Sequence, residues 1–356
     1  MQTGNQFSNQ VGYNSEEYNK LIEEAMKLPI TEGYAKYAEA EKLMLEDGYL
    51  APIYQKASAY LEKDYVSGIV NNSWGADYTY TYADVDKDDK VLNLATSSDI
   101  PTLDLSKATD QQSFQTANTT MEGLTRIDED GKVQPGVAES WETSEDGLTW
   151  TFKLRKNSTW SNGTPVTAHD FEYSWKRTLT PETAAEYSYI MADIVGSSTK
   201  EIEANGVDGV GVKALDDYTL EVKLNRPVAY FAELVSFQVF FPQNQAFVES
   251  CGDAYGSAAD KQLYNGPFTL TSWKMEDQFT MEKNPNYWDA ANVKLNKINT
   301  KVVKDTGAEV SLYEDGQIDR AGLSSDYVDK YKDSKELRTR EVASIFMLQI
   351  NGGNHK

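Results

Sequence analysis

Three aspartates at alternate positions, Asp84, Asp86 and Asp88, are the residues whose spacing comes closest to a metal site. They occupy the first, third and fifth places of a calcium loop. Such a loop also needs glycine at the sixth place, for its sharp turn, and a bidentate glutamate at the twelfth. Asp89 and Ala95 stand there instead, so the acidic stretch 83–90 reads as a solvated, exposed linker without a metal. Histidine chemistry is confined to His169, in the first turn of a capped helix, and His355, in a glycine-containing tail. Cys251 has no base partnered to it in sequence and reads as a small, half-buried residue. No G-x-S-x-G elbow, H-E-x-x-H, Walker loop or G-x-G-x-x-G is present. Among 56 acidic residues, no spacing singles out a glycosidase pair. The sequence therefore predicts neither an enzyme nor a cofactor or metal site. Twenty-two tyrosines and seven tryptophans are the more suggestive feature. Such side chains line clefts for extended amphipathic ligands as well as filling cores.

The bulk properties agree with a binding protein. With 34 Lys and Arg against 56 Asp and Glu, the net charge is −22, a field that repels phosphate backbones and anionic lipid. Nucleic acid is excluded as a partner on that ground. One cysteine permits no internal disulfide. No run approaches the length of a membrane span, and no signal peptide is read at the start.

The elements that must position any site follow from periodicity. "NSEEYNKLIEEAMKLP" carries Tyr18, Leu21, Ile22, Ala25 and Leu28 at helical spacing, with Asn14 and Glu17 as cap. "TEGYAKYAEAEKLMLEDG" predicts a second helix, capped by Thr31, striped by Tyr34, Tyr37, Ala38 and Leu45, and closed by Gly48. "APIYQKASAYLEKDYVSGI" reads as short strand pieces. "DEDGKV", "SEDGLTWTFKL" and "GVKALDDYTLEVKL" read as hairpins, the first two through Asp-Gly turns. Thr167 and Asp170 form a capping box that opens a helix through "HDFEYSWKR". The fold class is α+β, mixed α/β without the regular βαβ rhythm of a nucleotide fold.

"WSNGTPVTAHDFEYSWKR", Trp160–Arg177, makes the pattern specific. It resembles the signature of the extracytoplasmic peptide-binding proteins that feed ABC importers, the oligopeptide, dipeptide and nickel type. Further matches follow in family order: "TLDLSKATDQQSFQTANTTMEGL", "GKVQPGVAESWETSEDGLTWTFKLR", "VKALDDYTLEVKL", "YNGPFTLTSW", "EKNPNYWD", "LYEDGQIDRAG" and "MLQIN". Residues 14–82 resemble the same family's C-terminal end, yet here they come first. The resemblance thus implies a circularly permuted chain: 1–50 as a helical remnant of lobe II, 51–82 as a family C-terminal segment belonging to lobe I, 83–90 as the seam, 91–351 as the main body of lobe I, and 352–356 as a tail. It implies a type II periplasmic-binding-protein-like lobe, peptide-binding subclass, with most of lobe II absent.

In function, the resemblance implies an oligopeptide-binding subunit of an ABC import system, extracytoplasmic, working with membrane permease subunits. A separate chain supplying lobe II is a further partner it allows. Alternatives are a non-binding scaffold or fusion fragment, or a nickel, haem or sugar receptor of the same fold. Ligand contacts are implied at Thr109, Gln111 and Ser113 after "LDLSK", at Tyr187, and at Leu323 and Ser324. Tyr54, Lys56 and Asn351 are implied at the hinge crossings. "SWGADYTYTY" places Asp77 in a motif like the one that receives the peptide amine in the family. Its position after "APIYQKASAYL" makes it a look-alike, so the amine anchor is expected in the absent lobe.

Overall fold

The computed structural model describes residues 12–26, 28, 30–72 and 75–350. The chain divides into two compact units. The smaller comprises the described residues of 1–57, 226–231 and 341–356, and the larger comprises Ser58–Asn225 and Ala232–Arg340.

In the smaller unit two helices, Glu16–Ala25 and Ile30–Glu46, pack on Leu50 around Tyr13, Tyr18, Ile22, Ala40 and Met44. The first helix is capped one residue later than the sequence suggested: Ser15 Oγ, not Asn14, accepts from the Tyr18 amide at 3.2 Å. The second begins at Ile30, which puts Thr31 inside the first turn rather than before it. Its buried face is also rotated from the expected stripe. Ala40 and Met44 are enclosed, Tyr37 and Leu45 sit at the margin, and Tyr34 is 59% exposed. Tyrosine tolerates either environment, so the aromatic spacing did not fix the face. Gly48, at φ +75°, closes the helix as expected, its amide returning to the Leu45 carbonyl.

The larger unit holds most of the β-structure. One four-stranded antiparallel sheet takes the strands in the order Val212–Asp216, Thr219–Lys223, Thr149–Leu154, Ala138–Thr143. The predicted hairpins are there, with Gly131 and Gly147 in left-handed turn conformations at φ +76° and +70°. A second sheet runs Phe268–Lys274, Gln278–Lys283, Lys297–Val302, Val91–Thr96, its last pair parallel.

The signature helix Ala168–Leu179 lies against the first sheet. Asp170 Oδ2 accepts from the Thr167 amide at 2.7 Å and its hydroxyl at 3.1 Å, while Phe171 and Trp175 are fully buried. The aromatic face of the motif is thus core, as the spacing required.

"APIYQKASAYLE" is not a set of strand pieces but most of one 13-residue strand, Leu50–Glu62. Ala59–Glu62 pair antiparallel with Arg320–Leu323, so this early segment shares a sheet with residues late in the chain. The 83–90 stretch departs further from expectation. Asp84–Val85 pair with Val66–Ser67, Ala83 and Val85 are buried, and Lys90 Nζ holds Asp84 at 2.9 Å. Only Asp86, Asp88 and Asp89 face water. Val85 supplies apolar area that a purely charge-based reading of the run overlooks. Lys87 also reaches Asp319, at 3.2 Å, and that nearly buried carboxylate further accepts from Tyr65 Oη at 2.7 Å and the Asn93 amide at 2.7 Å. Three separate segments are fastened to one side chain.

Candidate functional site

The helix Gln111–Thr120 organises the candidate site in the larger unit. Asp110 caps it, its carboxylate accepting from the Ser113 amide at 2.8 Å. Thr109 and Gln111 are exposed at its start. Gln111 Nε2 donates to the Gly75 carbonyl at 2.8 Å, and Ser113, nearly fully buried, accepts from the Thr102 amide at 3.3 Å. One residue on, Phe114 meets Tyr187 edge-on at 5.3 Å and Phe237 at 5.0 Å, and Tyr187 stacks on Phe237 at 5.9 Å. Tyr189 continues this wall and is 62% exposed. Thr109, Gln111, Ser113 and Tyr187 are therefore brought together at one helix N-terminus.

Leu323 and Ser324 sit elsewhere in the unit. Leu323 ends its strand packed against Leu61, Tyr313, Ile318 and Ala321. Ser324 precedes the helix Ser325–Tyr331 as its N-cap. The remaining candidates belong to the smaller unit. Tyr54 is exposed and stacked on Phe346 at 4.7 Å with ring planes 6° apart. Lys56 is a position on the same strand as Tyr54, and Asn351 lies outside the described residues.

Asp77 is already engaged. Arg340 Nη2 approaches its carboxylate at 3.3 Å, and Arg340 Nη1 donates to the Asp77 carbonyl and to Asn71 Oδ1, both at 3.2 Å. Tyr78, the next residue, runs along the Gln111–Thr120 helix. Its amide donates to Gln115 Oε1 at 2.9 Å, and its carbonyl accepts from Gln115 Nε2 and Asn118 Nδ2. The guanidinium of Arg320 lies 4.2 Å from the Tyr78 ring and 3.9 Å from that of Tyr60. Sequence reasoning missed Phe114, Phe237, Arg320 and Arg340. An isolated phenylalanine or arginine carries no spacing signal until the fold brings its partner to it.

A polar pocket of about 170 Å³ lies farther along the same helix, lined by Asn72, Asn118, Glu122, Arg126, Gln238 and Phe241 among others. Glu122 is buried, accepts hydrogen bonds from Tyr287 Oη and Trp288 Nε1, and lies 3.6 Å from Arg126. Burial pushes its carboxyl above the usual range, while Arg126, Trp288, Tyr287 and Arg155 pull the other way. A carboxyl raised in the folded state contributes most stability below its unfolded value and loses that contribution as pH rises through the folded value. This contribution is thus expected to be lost as pH climbs above the ordinary glutamate range, and Glu122→Gln should flatten that part of the profile. Urea denaturation at several pH values checks this. An unchanged slope in the variant would assign the effect to another group.

His169 is exposed beside Asp217, at 3.5 Å, and Cys251 ends the helix Gln245–Cys251. No described helix is long and apolar enough to cross a membrane.

This mixed α/β architecture is that of the family 5 solute-binding proteins. The chain belongs to the family described as bacterial extracellular solute-binding proteins, family 5 (Middle), which matches residues 132–355. It is 38% identical over 249 residues to the oligopeptide-binding protein OppA of Bacillus subtilis, covering 68% of this chain and 46% of that protein. To the dipeptide-binding protein DppE of the same organism it is 36% identical over 263 residues, covering 74% and 48%. The fold matches an oligopeptide ABC transporter substrate-binding domain from Bacillus anthracis, with TM-score 0.69 and 46% identity, over 70% of this chain and 48% of that one. It also matches Listeria monocytogenes OppA bound to peptide, with TM-score 0.68 and 42% identity, over 70% and 49%. The chain spans about half the length of these relatives. The family is one of binding proteins, not enzymes.

Proposed function

We propose that this chain forms part of the oligopeptide-binding subunit of an extracytoplasmic ABC import system, acting with membrane permease subunits. The observation that carries the reading is the wall of Phe114, Tyr187, Tyr189 and Phe237 beside the exposed Thr109 and Gln111. Aromatic faces with nearby carboxamide and hydroxyl groups suit an extended peptide, whose side chains vary while its backbone repeats. The relatives named as oligopeptide- and dipeptide-binding proteins support that ligand class. Leu323, Ser324, Tyr54, Lys56 and Asn351 are proposed as further contacts.

The groove in this chain is incomplete on this reading, the rest coming from a second lobe or a separate chain. Asp77 is held by Arg340, so on this reading it is not free to receive the peptide amine. Losing a charge-assisted partner costs about 2–5 kcal/mol, before the lost desolvation by closure. Peptide affinity is therefore expected to be weaker than about 100 μM. Titration with a mixed peptide library, followed by heteronuclear NMR, tests this. Shifts confined to the Gln111 and Tyr187 regions and reduced by Tyr187→Ala are expected. No response at millimolar peptide would overturn the ligand class, and saturation at low micromolar peptide would overturn the incomplete groove.

A further inference from the structure

Tyr189, the exposed end of the aromatic wall, also borders an open groove of about 440 Å³ in the larger unit. Leu179, Ala185 and Ile202 give the groove apolar lining, and Thr180 and Ser197 add hydroxyls. Ser197 is 7% exposed, and its hydroxyl oxygen has no hydrogen-bond partner among the described residues. Thr180 donates its hydroxyl to the Lys176 carbonyl at 2.8 Å, which leaves its oxygen free to accept. Elsewhere the chain sets its own cations over aromatic rings. Lys63 lies 3.8 Å from the Tyr313 ring, Lys87 4.0 Å from Tyr65 and Arg155 3.5 Å from Trp288. No described lysine or arginine stands over Tyr187 or Tyr189 in that way. The nearest charges along the chain are instead acidic, Glu182 and Glu186, both exposed. Burial first, then Tyr189 and Glu186, hold the Tyr187 phenol above its ordinary range, so the Glu186 charge is felt at the wall. Lys107, exposed ahead of Thr109, offsets part of this field, and the net charge of −22 decides its sign.

We propose that the groove beside Tyr189 receives a lysine or arginine side chain of the bound peptide, so that this chain selects cationic peptides. The inference rests on the peptide-binding reading above. A basic side chain is an aliphatic stem ending in a cation that donates hydrogen bonds and accepts none. The stem suits the lining of Leu179, Ala185 and Ile202. The cation suits the uncovered ring of Tyr189 and the hydroxyl oxygens of Thr180 and Ser197. An acidic side chain at the same place would meet like charge at Glu182 and Glu186. The surrounding negative field also speeds the approach of cationic peptides, and added salt weakens that advantage.

Titration of the full chain, followed by NMR, with alanine pentapeptides bearing lysine, arginine, norleucine or glutamate at the centre tests the proposal. Norleucine keeps the stem and lacks the charge. At low salt the lysine and arginine peptides should bind about threefold more tightly than the norleucine peptide and about tenfold more tightly than the glutamate peptide. High salt should narrow the gap to glutamate. Tyr189→Leu and, independently, Glu186→Gln should bring the ratio of lysine to norleucine affinity toward one. Ala185→Leu, which narrows the groove, should weaken the lysine and arginine peptides with far-UV circular dichroism unchanged. Equal affinity for the lysine, norleucine and glutamate peptides overturns this inference and leaves the peptide-binding reading standing. No response to any peptide at millimolar concentration overturns both. A lysine preference that survives both Tyr189→Leu and Ala185→Leu puts the basic side chain elsewhere and overturns the assignment to this groove.

Discussion

Asp104→Ala should cost about 3–5 kcal/mol of stability, the figure for a buried ion pair that loses one partner. Asp104 is 2% exposed, and its two oxygens receive Arg177 Nη1 and Nη2 at 2.7 Å each. The pair is planar-fork recognition in a nearly dry setting, which makes it stronger than a surface bridge. Arg177 also reaches Gln243 Oε1 at 2.9 Å, and its guanidinium lies 5.3 Å from the Tyr255 ring. Removing the carboxylate leaves that guanidinium enclosed and only partly satisfied. The signature helix is thereby tied to the "LDLSK" loop just ahead of Thr109 and Gln111, so the same change should also loosen the candidate site. Chemical denaturation gives the stability term. A loss below about 1 kcal/mol would place the pair in the surface class instead.

Trp175→Ala should be comparably damaging, at about 3–5 kcal/mol for a fully enclosed tryptophan. The indole is completely buried, stands edge-on to Phe240 at 5.1 Å and donates Nε1–H to the Phe240 carbonyl at 2.7 Å. Truncation leaves a cavity and an unsatisfied carbonyl together. Trp175→Phe keeps much of the volume and loses only the donor, so it should recover more than half of the loss. Thermal melts of both variants check the order. If Phe were as harmful as Ala, the hydrogen bond rather than the packing would dominate.

Features whose physics is local were legible along the chain. Thr167 and Asp170 cap the signature helix because the chain places them three residues apart, and Gly131 and Gly147 turn hairpins because glycine accepts positive φ. The eight motifs in order determined the family. The buried face of Ile30–Glu46 was decided only by tertiary packing, since its tyrosines are content on either side and Ala40 and Met44 give a weak stripe. The 83–90 run hid a buried Val85 among charges, and only strand pairing with Val66–Ser67 revealed it. The wall of Phe114, Tyr187 and Phe237 joins residues up to 123 positions apart. The Arg340–Asp77 contact joins residues 263 apart. Such contacts depend on which segments the fold makes neighbours, and no periodicity along the chain encodes that.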